Sequence, residues 1–149
     1  MKHLIFLFFT FITCIGTSKA QVTISTSDLA GTKWQTAYDY DNQSNDYFEY
    51  TQGIKIWHRS NGSTYEYPYY LSETEQTKFD YTKVGVITKG KYIISINPKW
   101  GFVDCDPIKN FYKGDGTMVL GNDDETLYIL IPSNKPRNQL SKEKHVEKW

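Results

Sequence analysis

Tyr65, Tyr67 and Tyr69 recur at every second position, and Trp34 and Tyr92 stand apart from them in a chain with 12 tyrosines, 4 tryptophans and 8 phenylalanines. In an extended strand a period of two puts alternate side chains on one face. A row of tyrosines on such a face can grip a sugar ring or an apolar molecule, because each phenol offers an apolar flank and one polar tip. The same rings also suit a half-buried sheet surface, and they can fill a core in a chain with few Leu and Val. Trp34, Tyr65, Tyr67, Tyr69 and Tyr92 are therefore the candidate ligand contacts.

Other chemistry is sparsely provided. After residue 20 only His58 and His145 offer an imidazole base, and neither stands in a motif that adds a nucleophile and an orienting group. His58 continues the face of Ile54 and Ile56 and reads as a partly buried structural residue, whereas His145 lies in a charged tail. Cys105 sits between Asp104 and Asp106, two negative charges that disfavour the reactive thiolate. The chain has no pair of ligands at zinc-site spacing. Asp39 to Asp46 alternate carboxylates as calcium loops do, but Ser44 replaces the required Gly and Tyr50 the required Glu, so the stretch reads as a polar hairpin loop. Asn122-Asp123-Asp124-Glu125 is explained by turn propensity alone. No metal, no cofactor and no catalytic residue is expected. Glycoside hydrolysis needs two converging carboxylates, and no particular pair stands out.

Strands must do the positioning. Helical periodicity is weak after residue 20, while short alternating runs bounded by Gly, Asn, Asp and Pro recur at the spacing of antiparallel sandwiches and barrels. The expected strands are 33–38, 47–51, 53–58, 63–71, 84–88, 92–97, 108–112, 117–120 and 126–131. Asn61-Gly62 readily takes the positive φ angles of a tight hairpin, so 53–58 should pair with 63–71. Gly114-Asp115-Gly116 and Gly121-Asn122-Asp123-Asp124 repeat the signal and make the last three strands a meander. Pro68, which has no N–H to donate, marks an edge or a bulge in the tyrosine strand. Tyr92, Ile94 and Ile96 share a face that could line a core or cavity. The last strand is apolar on both faces, which asks for a central place or a cover. Ser72-Glu73-Thr74-Glu75 has a capping-box pattern with room for at most one helical turn.

An address precedes the domain. Met1-Lys2-His3, the apolar run from Leu4 to Ile15, and the small residues Gly16 to Ala20 have the layout of a secretory signal peptide cleaved after Ala20. The run is shorter than the roughly 20 residues of a spanning helix, so no transmembrane segment is expected. Cys14 follows the apolar run, but Thr13 stands where lipoprotein signals carry a small residue. The organisation is then 1–20 signal peptide, 21–132 β-domain and 133–149 polar tail. Loss of Cys14 leaves Cys105 without an intrachain partner. The 17 basic and 17 acidic residues of the whole chain balance, and loss of Lys2 and Lys19 tips the remainder slightly acidic, which argues against nucleic acid, so no nucleic-acid partner is expected.

Leu29-Ala30-Gly31-Thr32-Lys33-Trp34 resembles the opening of lipocalin-like barrels, where a Gly shortly before a Trp sets that Trp across the closed end; here two residues separate them instead of one. Tyr69-Tyr70-Leu71-Ser72, Phe79-Asp80, Lys83-Val84-Gly85 and Gly90-Lys91-Tyr92-Ile93 extend the resemblance, over roughly residues 29–131, to small secreted lipocalin-like β-barrel proteins of Gram-negative bacteria. The resemblance implies an all-β fold, a single antiparallel up-and-down barrel of about eight strands with a mouth for one small ligand; a β-sandwich is the alternative. Its motifs are structural, and a fold alone does not assign an activity. Three functional classes stay open. The first is a non-enzymatic binding module, periplasmic or at the cell surface, for a small apolar or glycan-like ligand. The second is a protein-interaction module of inhibitor or immunity type, using an aromatic patch at Trp57, Trp100 and Phe102. The third is a small hydrolase.

Overall fold

Alternating runs become ten strands in the computed structural model, which describes residues 21–121 and 124–132. In chain order these are β1 (Ile24–Ser25), β2 (Thr32–Thr36), β3 (Tyr47–Tyr50), β4 (Ile54–His58), β5 (Thr64–Ser72), β6 (Lys89–Gly90), β7 (Tyr92–Ile96), β8 (Val103–Tyr112), β9 (Thr117–Leu120) and β10 (Thr126–Leu130). Two short helices, α1 (Thr26–Leu29) and α2 (Ala37–Asp41), and one 3-10 turn (Tyr81–Lys83) interrupt them. The expected signal peptide and polar tail lie outside the described residues.

Eight strands close into one antiparallel barrel in the order β10-β2-β3-β4-β5-β7-β8-β9, with β1 and β6 paired separately. The single antiparallel barrel of about eight strands that the resemblance implies is present, and the alternative sandwich is not. Asn61-Gly62 does turn β4 into β5, with Gly62 at φ 84°. The last three strands form the expected meander.

Two strand expectations are corrected. Residues 84–88 are not a strand: Gly85 at φ 75° breaks the run, and only Lys89–Gly90 pairs, with β1. β8 begins at Val103, well before residue 108, because Asp104-Cys105-Asp106-Pro107 has loop-like residue types but pairs fully with β7. The capping-box pattern at Ser72 makes no helix; its hydroxyl takes the Thr74 N–H instead.

β5 and β8 each serve two neighbours in turn. β5 pairs with β4 through Thr64 to Pro68 and with β7 only from Tyr69 onward. Tyr69 donates its N–H to Gly53 on the β4 side, so by antiparallel alternation the Pro68 nitrogen faces β7. It has no hydrogen to give there. The β5–β7 ladder stops at Tyr69↔Ser95, and β7 turns away at Asn97, whose Oδ1 accepts the Lys99 N–H at 3.0 Å and the Trp100 N–H at 3.2 Å. The barrel is thus zipped in its lower half and parted at this seam near the rim.

The closed end is filled by Trp34, Tyr50, Tyr69, Leu71, Ile93, Ile108, Met118 and Leu120, joined by Ile24 and Leu29 from the segment before β2. That segment is pinned by the Ser25 and Asp28 capping box of α1, by Val22 N–H to Ile108 O, and by an Asp28–Lys113 ion pair. A smaller cluster covers the outside of β5 and β7. Tyr70 and Ile94 are fully buried there, with Phe79 at 5.1 Å from Tyr70 between ring centroids and the Asp80 N–H donated to the Tyr70 hydroxyl.

Candidate functional site

Strand register identifies what faces the barrel interior. Tyr50 and Lys55 are direct partners, as are Lys55 and Tyr67, Phe48 and Trp57, and Trp57 and Tyr65. Tyr69 faces Ser95, Ser95 faces Asp104, and Ile93 faces Asp106. Direct partners share a face, and Tyr50, Tyr69 and Ile93 belong to the barrel core. The interior above that core therefore carries Phe48, Lys55, Trp57, Tyr65, Tyr67, Ser95, Asp104 and Asp106. Tyr128 joins them opposite the buried Met118.

These inward residues are less buried than the core below them. Phe48, Lys55, Trp57, Tyr67, Asp106 and Tyr128 are half-buried, and Tyr65 and Asp104 are exposed, although all point inward. The rings form a connected wall: Phe48 stacks on Trp57 at 5.9 Å, Trp57 meets Tyr65 at 5.8 Å, and Tyr128 meets Phe48 edge-on at 6.1 Å. The Arg59 guanidinium lies 5.0 Å from the Trp57 ring.

An ionic group sits beneath these rings. Lys55 Nζ lies 5.6 Å from the Phe48 ring centroid and 5.5 Å from that of Tyr67, and it donates to Ser95 Oγ at 3.3 Å. Burial pulls the lysine below its usual pKa, against the opposing pull of Asp106 and Asp104. Burial likewise lifts the Asp106 carboxyl above its usual range; Lys55 opposes this and Asp104 reinforces it. Tyr128 is pushed up to about 12, first by burial and then by the charges of Asp106 and Asp39. Tyr50 is raised by burial, with Tyr128, Asp106 and Tyr69 adding to it.

The parted seam adds a side opening. A cavity of about 370 Å³ lies between the upper half of β5 and the turn after β7, lined by Tyr65, Glu66, Tyr67, Asn97, Pro98, Lys99 and Trp100. Trp100 is 63% exposed and Phe102 69%.

Of the five candidate contacts, the structure brings Tyr65 and Tyr67 together at the mouth. Tyr69 faces the same interior but is fully buried, its hydroxyl donating to Thr51 O at 2.7 Å. Trp34 is also fully buried in the core, its Nε1 donating to Thr32 Oγ1 at 2.7 Å. Tyr92 faces outward with Ile94 and Ile96, and its hydroxyl accepts from Gln21 Nε2. Trp57 points into the mouth and so does not share an outer patch with Trp100 and Phe102.

Lys55, Ser95, Asp104 and Asp106 were missed as site residues. In Ile54-Lys55-Ile56-Trp57-His58 the alternation offers an Ile face and a Lys-Trp face, and register turns Lys55 and Trp57 inward. Asp104 and Asp106 stand at the matching spacing of two. His58 faces outward, stacked on Tyr47 with its Nε2 3.0 Å from Glu49 Oε2.

The remaining polar motifs have local roles. Asp39 accepts from Thr36 Oγ1 at the start of α2, and Asp46 accepts the Ser60 N–H at 2.8 Å. Among the described residues no group of three or more His, Cys, Asp and Glu side chains could hold a metal ion, and no helix is long and apolar enough to cross a membrane. No family model, no curated protein and no solved structure matches the chain.

Proposed function

We propose that this protein is a secreted, non-enzymatic binding module of lipocalin-like build, whose barrel mouth holds a small apolar or glycan-like ligand. The observation that carries the reading is that the inward aromatic side chains Phe48, Trp57, Tyr65 and Tyr67 keep accessible surface above the charged pair Lys55 and Asp106. Ligand sites combine an apolar wall with a few convergent polar groups, and this mouth has both. Asp104 and Asp106 are next-but-one neighbours on one strand and share its inward face with Lys55 beside them, which supplies the polar groups of a binding site.

Trp57 is the reporter for a test. Apolar and glycan probes that enter the mouth shift its emission, and Tyr67→Ala removes the shift while the melting transition stays cooperative. Unchanged emission and no bound mass in native mass spectrometry across both probe classes overturn the reading. A second reading, a protein-interaction module, draws on the exposed Trp100 and Phe102. Trp100→Ala and Phe102→Ala would then abolish capture of a partner without changing small-ligand binding.

A further inference from the structure

The barrel interior holds more polar groups than it pairs. Among the described residues, the Asp106 carboxylate and the Tyr50 and Tyr128 hydroxyls have no hydrogen-bond partner, and the hydrogen bond of Lys55 Nζ is the long one to Ser95 Oγ, at 3.3 Å. These groups are neighbours: the charge of Asp106 is felt by Lys55, Tyr50 and Tyr128 alike. Geometry accounts for the convergence: Lys55 Nζ reaches Ser95 on β7, Ser95 lies directly opposite Asp104, and Asp106 stands two residues further along the same face of β8, while Tyr50 lies beside Lys55 on β3–β4. Lys55 and Asp106 can therefore receive one small group between them. Around that group stand the faces of Phe48 and Tyr67.

Charge and hydrogen-bond capacity select the group. A fatty-acid carboxylate only accepts hydrogen bonds, and it would meet two aspartates against one lysine. A hydrocarbon would leave every one of these polar groups unsatisfied. A hydroxyl does both jobs, accepting from the Lys55 ammonium while donating to the Asp106 carboxylate. Two adjacent hydroxyls on a ring can engage Lys55 and Asp106 together and turn the ring's C–H face to an aromatic side chain. We propose that the mouth recognises a neutral pyranose sugar, with vicinal hydroxyls held between Lys55 and Asp106 and its apolar face against Tyr67. This deepens the binding reading above and rests on it.

Calorimetry and saturation-transfer NMR on the chain from residue 21 onward test it, with methyl glucoside, galactoside and mannoside as probes and octanoate and leucine as controls. At least one pyranoside binds, and Lys55→Met and Asp106→Asn each weaken it tenfold or more, while Lys55→Arg retains part of the affinity. Asp106→Asn is nearly isosteric and gives the answer even if Lys55→Met fails to melt cooperatively. Octanoate or leucine bound with no pyranoside bound overturns the sugar assignment but leaves the binding reading standing. Pyranoside binding indifferent to both Lys55→Met and Asp106→Asn overturns the placement. Binding of none of the probes, together with silent Trp57 emission toward apolar dyes, overturns both.

Discussion

Asp106 is a carboxyl held above its ordinary pKa, and its titration has a definite sign. Burial raises its folded-state pKa above the unfolded value, with Lys55 opposing and Asp104 adding. The folded protein thus holds this proton more tightly than the unfolded chain does. The stability contributed by the group is full below the ordinary carboxylate range and is lost as pH rises through the raised folded value. Asp106→Asn should consequently melt higher than the parent at pH 7, by roughly 1 kcal/mol, the lower end of the cost of an unsatisfied buried polar group, and the gap should close on acidification. Paired melts across pH 3–7 decide it; a variant that is less stable at pH 7 would show that the Lys55 contact outweighs burial. Cys105 gives a second residue-scale outcome. Its thiol is raised by burial first, with Glu75 and Asp106 adding and the Gln76 backbone opposing. A thiol reagent at neutral pH should label the folded protein much more slowly than the denatured chain. Burial stands ahead of the flanking aspartates as the cause of the raised thiol: Asp104 and Asp106 point to the opposite face of β8, and of the two only Asp106 adds, last among the causes.

At the scale of elements, β5 decides the site. Its upper half presents Tyr65 and Tyr67 to the mouth and its lower half buries Tyr69 and Leu71, with Pro68 at the changeover. A row of tyrosines at a spacing of two was legible in the chain, and so were the Asn-Gly hairpin, the closing meander and the disturbance at Pro68. Which of those tyrosines would be core was not legible, because depth along a barrel depends on the stagger between strands, a long-range quantity. Inward charge was hidden for a related reason. Lys55 reads as solvent-facing beside two isoleucines, and only its pairing through Tyr67 and Ser95 toward Asp104 and Asp106 turns that face inward. The last strand also misleads, since Leu127 is left 41% exposed although both its faces are apolar. β6 supplies the sharpest test of packing between elements. A Cβ on Gly90 would sit 2.3 Å from the Ser72 backbone, which cannot step aside as a side chain can. Gly90→Ala should cost about 3 kcal/mol, the upper end for overpacking, and be visible as a clear loss in the urea midpoint.

On the scale of the whole molecule, closure joins strands from opposite parts of the chain, β2 with β10, around a core plugged by Leu29. Leu29→Ala, which empties a fully buried position at the closed end, should cost about 2–5 kcal/mol without touching the mouth. Denaturant melts should show the loss, while Trp57 emission in the folded state stays that of the parent. The secretion reading belongs here as well: protein recovered from outside the cytoplasm should begin at Gln21, and a form beginning at Met1 there would refute cleavage after Ala20. The barrel also has a polarity in how it can be held. Val22 is bonded to Ile108 and Ile131 to Lys33, so both ends of the described barrel depart from the plugged base, opposite the rim that bears Tyr65 and Trp57. Both tethers thus hold the same end of the barrel, so a strand pulled from either would load the core end first and reach Tyr65 and Trp57 last.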